Sequence, residues 1–213
     1  MSPVRLAFLV SLYLALIVGG AVTGHWLMDL VVFDVRPSNE PEIHGMITVA
    51  MVAFILTSAV PFVPGAEIGL GLILMLGSRI VLLVYAGMVF ALLLAYCIGR
   101  FIPPRAVAAM FGFLGLARAR GLVGQTAALD TEARLRLMTE RAPTRFVPFL
   151  LRHRYVALAL AFNLPGNTLL GGGGGIALAA GMSGLFAFMP YVLTVALAVA
   201  PVPLLFLLTG IRP

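Results

Sequence analysis

Residues 55 to 70 read ILTSAVPFVPGAEIGL, and their reading decides the fold. They interrupt an apolar stretch from Met46 to Gly77 that would otherwise form one long helix. Proline removes a backbone donor and its ring clashes with the preceding turn, so Pro61, Pro64 and Gly65 cannot continue a straight helix. The two halves, Met46 to Val60 and Glu67 to Gly77, are each short for a bilayer core of about 30 Å, which takes about 20 helical residues. The pattern predicts a helical hairpin that dips into a membrane and returns to the same side. Broken backbone at that depth is tolerated only where protein or a water-filled cavity covers the freed groups.

The pattern occurs twice. Residues 161 to 181 read AFNLPGNTLLGGGGGIALAAG, with an entering arm Val156 to Phe162 and a return arm Ile176 to Gly181. Pro165-Gly166 aligns with Pro64-Gly65, and each break is followed by a longer apolar run. Those runs are Ile80 to Ile98, and Leu185 to Leu208, in which Pro190, Pro201 and Pro203 are expected to introduce bends.

Working outward, Leu6 to Met28 is apolar enough to span, with Trp26 near its far end where an indole favours the interface. Gly19 and Ala21 resemble a signal-peptide cleavage site, but the apolar run continues past them, which favours an uncleaved anchor. Residues 29 to 45 are a polar loop with Asp29, Asp34, Glu40 and Glu42 against Arg36, irregular at Pro37 and Pro41. Residues 100 to 154 carry ten of the arginines and only Asp130, Glu132 and Glu140 as acids, a net charge of +7. Such a concentration marks a cytoplasmic segment. Asp130 or Thr131 can cap a helix running to about Arg141, either lying on the membrane surface or serving as a solvated connector.

Placing residues 100 to 154 inside fixes the rest. The first hairpin then enters from outside, the acidic loop lies outside, and the N-terminus with Arg5 is cytoplasmic. The second hairpin enters from inside. The expectation is an all-α integral membrane protein: three full transmembrane helices plus two opposed re-entrant helical hairpins in an inverted repeat. It divides into an anchor helix and acidic loop (1–45), a first half-repeat (46–99), the Arg-rich segment (100–154) and a second half-repeat (155–213). Paired Gly/Pro-interrupted segments in the two halves of such a repeat point to a transport site.

Composition agrees. The chain is 62% hydrophobic and 10% charged, where soluble domains average about 25% charged. Its net charge of +6 comes entirely from arginine on the basic side and is concentrated between the halves, which fits orientation in a membrane and not a nucleic-acid partner. Cys97, alone in an apolar run, reads as a small buried hydrophobe. His25, His44 and His153 lie far apart with no metal-ligand spacing, and no Ser-His-Asp set is evident. The sequence therefore predicts no enzyme, metal or cofactor.

The run PFVPGAEIGLGLILMLG (61–77), the following VYAGMVFALLLAYCIGRFIP (84–103) with Tyr96, Ile98, Gly99 and Arg100 at its end, and the second Pro-Gly stretch together resemble the DedA family, also called SNARE-associated or VTT-domain membrane proteins. The resemblance covers residues 46 to 208. It implies two facing re-entrant loops and a bacterial inner-membrane protein that moves lipids or ions, with relatives linked to undecaprenyl-phosphate recycling, proton-dependent envelope homeostasis and phospholipid scrambling. This chain departs from the family pattern. Ala66 separates Pro64-Gly65 from Glu67, Thr57 and Ser58 stand where an upstream acid is usual, and Phe162, Asn163, Asn167 and Thr168 stand where arginines flank the second Pro-Gly. The charged set that proton coupling would use is largely missing.

The candidate substrate path is Pro64, Gly65 and Glu67 with Asn163, Pro165, Gly166, Asn167 and Thr168. Glu67 is the one acid inside the apolar stretches; it either faces a transport cavity or compensates the dipole at the start of the return arm. Asn163, Asn167 and Thr168 either offer neutral hydrogen bonds to a headgroup or satisfy backbone freed by Pro165. Gly171 to Gly175 lack the Lys-Ser/Thr and strand of a nucleotide loop; they suit close backbone packing, a hinge, or an exposed backbone for a lipid phosphate. Arg79 is placed to reach back to Glu67, and Arg100, Arg105, Arg152 and Arg154 either gather a phosphate headgroup or only orient the chain. The expected function is translocation of a phospholipid or polyprenyl phosphate. The alternatives are an ion- or proton-coupled small-solute transporter and a non-transporting scaffold. Membrane lipids are the expected partners, and assembly as a homodimer is compatible with so small a domain.

Overall fold

The computed structural model describes residues 3–31, 40–77, 80–113, 115, 117–126, 129–140 and 146–209. Every described element is helical. The order is α1 (Pro3–Val31), α2 (Glu40–Ser58), α3 (Gly65–Leu76), α4 (Val81–Phe101), α5 (Pro104–Phe113), α6 (Ala117–Thr126), α7 (Thr131–Glu140), α8 (Phe146–Arg152), α9 (Arg154–Asn163), a 3₁₀ turn (Asn167–Leu170), α10 (Gly172–Ser183), α11 (Phe188–Val199) and α12 (Pro201–Thr209).

Both breaks are present. The first separates α2 from α3 and the second separates α9 from α10. Several boundaries differ from the sequence expectation for local reasons. α2 already begins at Glu40, so Pro41 is not in an irregular loop. It occupies a first turn, where a missing N–H costs nothing. α10 begins at Gly172, so most of the glycine run is helical despite glycine's poor propensity. The apolar end of the chain bends by 43° between α11 and α12, at Pro201. Pro190 lies in the first turn of α11 and interrupts nothing. Among its described residues the Arg-rich segment holds four helices where the sequence suggested one. The expected one is α7, capped by Asp130, whose carboxylate accepts the Ala133 N–H at 2.7 Å.

Contacts fix the direction of each helix. α2 runs in the same sense as α4: Gly87 faces Met51, and Ala59 joins the cluster of Ala91 and Leu92. α3 runs back, with Gly65 against Ser58, Gly69 between Phe54 and Val84, and Leu72 and Ile73 clustered with Ile80 and Val81. α4 and α11 are antiparallel. The Tyr96 hydroxyl donates to the Phe186 carbonyl (2.7 Å), Tyr191 to Leu92 (3.0 Å) and Tyr85 to Ala196 (3.0 Å). α9 runs with α11: the Tyr155 hydroxyl accepts the Ala187 N–H at 3.2 Å and the Asn163 amide donates to the Ala198 carbonyl at 2.9 Å. The entering arms α2 and α9 therefore start from opposite ends of the bundle.

The most extensive helix contact is α4 on α10, which run parallel. α4 buries Gly87, Ala91, Ala95 and Gly99, a small residue every fourth position on one face. α10 answers with Gly174, Ala177, Ala180 and Gly181. A Cβ at Gly99 would collide with the Leu178 carbonyl, and one at Gly181 with the Tyr96 carbonyl. Small residues at this spacing let two backbones approach closely, which gains dispersion over the whole interface. Tyr96 and Tyr191 close the same core as a stacked pair, ring centroids 4.0 Å apart.

The outer surface is apolar. Phe101 is 85% exposed, Leu208 83%, Leu197 75% and Val49 69%, while the buried positions are mostly small or β-branched. α4 has a mean hydropathy of 2.5 over its best window, and only 39% of that window is buried. By length and composition, one described helix can cross a membrane, or two if the bent pair α11–α12 is one span.

Candidate functional site between the two breaks

The tips of the two breaks touch. In the first, α2 ends as Thr57 bends its hydroxyl back to the Ala53 and Phe54 carbonyls (2.7 and 3.2 Å). The chain then turns through Phe62, whose φ of 69° is unusual for a residue with a side chain. Val63 is buried, and Pro64 stands at the N-cap of α3. In the second, Gly166 (φ 73°) and Gly171 (φ 110°) bracket the 3₁₀ turn, conformations that favour glycine. The Phe62 N–H donates to the Gly171 carbonyl at 2.6 Å, a direct bond between the breaks.

The glycine run makes this approach sterically feasible. A Cβ at Gly172 would lie 2.8 Å from the Val63 carbonyl oxygen, and one at Gly174 would lie 2.7 Å from the Ser58 and Ala59 carbonyl oxygens. Close backbone packing, one of the uses the sequence allowed for this run, is what the structure displays. α1 covers the junction from a third side. Tyr13 packs edge-on against Phe62, centroids 5.6 Å apart, and its hydroxyl donates to the Leu169 carbonyl.

Two cavities flank the junction. The smaller, about 120 Å³, is lined by Ser58, Gly65, Ala66, Tyr85, Asn163, Asn167 and Gly173 among apolar residues of α3, α4, α11 and α12. The larger, about 670 Å³, lies towards the Arg-rich segment. Its walls are apolar side chains of α1, α5, α6, α7 and α10, together with Val60, Pro61 and Phe62 of the first tip and Leu170 and Gly171 of the second. Among the described residues lining it, Arg134 is the one that carries a charge.

Of the residues singled out in the sequence, Gly65, Asn163 and Asn167 come together at the smaller cavity. The Asn163 amide nitrogen donates to the Ala159 and Ala198 carbonyls (both 2.9 Å), and that of Asn167 to the Phe162 carbonyl (2.7 Å). Carbonyls accept only, so these bonds fix the amide orientation and leave both side-chain oxygens free to accept. Pro165 and Gly166 are exposed in the second tip and Thr168 is half-buried in the 3₁₀ turn; none lines either cavity. Glu67 lies in the first turn of α3, exposed and off both cavities. That position is the dipole-compensating one, at the positive end of the helix. Arg79 lies outside the described residues, so its pairing with Glu67 does as well. Arg100, Arg105 and Arg152 are exposed at the ends of α4, α5 and α8. Arg154 stacks over the Tyr155 ring at 4.9 Å and keeps a buried Nε without a partner. Among the described residues no group of three His, Cys, Asp or Glu could hold a metal ion.

Two residues matter more than their sequence suggested. Ser58 is 2% exposed, and its hydroxyl is one of the buried side-chain groups without a hydrogen-bond partner. Arg134 ties the Arg-rich segment to the bundle. Its Nε and Nη2 donate to the Thr126 carbonyl (3.2 and 2.9 Å), and its Nη1 donates to the Ser183 carbonyl (2.9 Å). One guanidinium thus caps the C-termini of α6 and α10, where a cation meets unpaired carbonyls and the negative dipole end. Gly184 has no Cβ to collide with it. Burial, and secondarily the neighbouring Arg100 charge, hold the Arg134 pKa below its ordinary value.

No family model matches the chain, and no curated protein or solved structure is detectably similar to it.

Proposed function

We propose that this chain is a multi-pass membrane protein of the bacterial inner membrane that moves lipid headgroups across the bilayer through the junction of its two breaks. The observation that carries the reading is the pair of cavities on opposite sides of one tip-to-tip contact. One lies towards the Arg-rich end and the other towards the end where α3 finishes and α4 begins. A headgroup passing between them crosses the contacts of residues 58–63 with residues 171–174, the Phe62–Gly171 bond among them, and its tails stay in lipid.

The membrane part of this reading rests on the exposed apolar surface and on α4, which is too hydrophobic to be so little buried in a water-soluble protein. The arm directions support two opposed re-entrant hairpins in an inverted repeat, with α1, α4 and the bent pair α11–α12 as the three spans. The same features suit the DedA resemblance. The positive segment then lies in the cytoplasm together with the N-terminus.

Scrambling by the purified protein in liposomes, followed with fluorescent lipids and a membrane-impermeant quencher, tests the proposal. Quenching is expected to run well past the outer-leaflet half. Asn167→Leu, which removes a cavity oxygen, should slow it, and Glu67→Gln, off the cavity, should not. Quenching that stops at the outer leaflet would remove unassisted translocation. Loss of ion-dependent uptake in Glu67→Gln, without scrambling, would favour the ion-coupled alternative. Loss of function on trimming residues 115–145, with silent tips, would favour a scaffold.

A further inference from the structure

The smaller cavity is the meeting point of two helix N-termini. Gly65 and Ala66 open α3, Gly173 lies at the start of α10, and all three line it. Each helix has 12 residues. The first four N–H groups of a helix have no partner within it. In α3, Gly65 bonds the Val63 carbonyl and Ile68 the Pro64 carbonyl, while Ala66 and Glu67 donate no backbone bond among the described residues. In α10, Gly175 bonds the Gly171 carbonyl, while Gly172, Gly173 and Gly174 donate none among the described residues. Ala66 and Glu67 are exposed, whereas Gly172 and Gly174 are buried and Gly173 is half-buried; buried N–H groups left unpaired are costly, and most proteins satisfy them.

A second observation points to a ligand. The Ser58 side chain faces the same cavity, is almost fully buried and has no hydrogen-bond partner. Its oxygen lies 2.8 Å from where a Cβ of Gly65 would be, at the mouth of α3. The free N–H groups of Ala66 and Gly173, two helix N-termini, of which that of α3 also carries Glu67 in its first turn, and one free hydroxyl form a donor set suited to an anion with several acceptor oxygens. Among the described residues, none lining this cavity carries a cation.

We infer that the smaller cavity is a phosphate-ester subsite, built from the backbone N–H groups at the starts of α3 and α10 and the Ser58 hydroxyl. This deepens the lipid-translocation reading and rests on it for the source of the phosphate; the chemistry is shared by a lipid headgroup and by free phosphate. The Asn163 and Asn167 oxygens accept hydrogen bonds from hydroxyl or ammonium groups beside the phosphate.

The test uses the full chain and Ser58→Ala. In detergent, inorganic phosphate should raise the thermal midpoint of the wild type relative to chloride at equal ionic strength, and should not do so for Ser58→Ala. Without phosphate, Ser58→Ala should be at least as stable as the wild type, since it removes an unpaired buried hydroxyl. In phosphatidylcholine vesicles, labelled phosphatidylcholine should cross about tenfold faster than labelled glucosylceramide, which has no phosphate, and Ser58→Ala should slow the former by about tenfold, the worth of a hydrogen bond to a charged group. Equal crossing of the two lipids, or a Ser58→Ala protein that translocates like the wild type, would overturn the subsite and leave translocation standing. A Ser58-dependent phosphate shift without any lipid crossing would keep the subsite and overturn the lipid reading. Neither shift nor crossing would overturn both.

Discussion

The two breaks reach one geometry by different chemistry. Each turns an entering helix into a 12-residue return helix. The first uses Pro61 and Pro64, buries Val63 and Ser58, and accepts a positive φ at Phe62. The second exposes its Pro165-Gly166 turn and supplies glycines where the first tip presses against it. The return arms also end differently. α3 closes on its own backbone, with the Gly77 N–H on the Ile73 carbonyl at 2.9 Å, whereas α10 depends on Arg134 from 49 residues earlier in the chain. The difference teaches that the first tip is the shaped surface and the second the one that conforms to it. A side chain added to the second should therefore cost more than one removed from its exposed turn.

The largest effect should come from Gly174→Val. Its Cβ would enter the space held by the Ser58 and Ala59 carbonyls, and parting the tips should destabilise the fold by about 3 kcal/mol, the upper range for overpacking. Thermal or denaturant unfolding in detergent measures it. Arg134→Ala should come next. It uncaps α6 and α10 together, a loss of about 2 kcal/mol for hydrogen bonds to a charged group. Limited proteolysis should then cut the segment around α6 and α7 faster while α4 stays protected. The smallest should be Pro165→Ala, within about 0.5 kcal/mol because the residue is exposed at a loop tip. A large loss at Pro165 with none at Gly174 would reverse the comparison.

Much of the architecture was legible because proline and glycine act locally. Pro61, Pro64-Gly65 and Pro165-Gly166 mark breaks whatever surrounds them, and Asp130 caps α7 from within its own turn. What was not legible depends on distant partners. The start of α10 inside the glycine run defeats helix propensity, because the space beside the backbone of residues 58–63 admits no Cβ. The four-residue spacing of Gly87, Ala91, Ala95 and Gly99 is a readable packing signal, hidden within an apolar run whose length alone reads as a span. Arg134 was one arginine among ten in its segment, and nothing local distinguishes it; its role appears only once the Ser183 carbonyl is beside it. At the site, charge singles out Glu67 in the sequence, and the fold leaves it exposed. A buried hydroxyl that faces the cavity without a partner belongs to Ser58, a neutral residue whose significance comes wholly from burial.

The most direct measurement is a cysteine pair across the junction. A Cβ at Gly175 would lie 3.4 Å from the Pro61 Cβ, close to the separation a disulfide spans. On a Cys97→Ala background, Pro61→Cys with Gly175→Cys should crosslink readily under mild oxidation, and cleavage of the Arg-rich segment should then leave two fragments joined until reductant is added. In liposomes, oxidation should stop lipid crossing and reductant restore it. Failure to crosslink would contradict the tip-to-tip contact, and full translocation in the crosslinked protein would contradict a path through it.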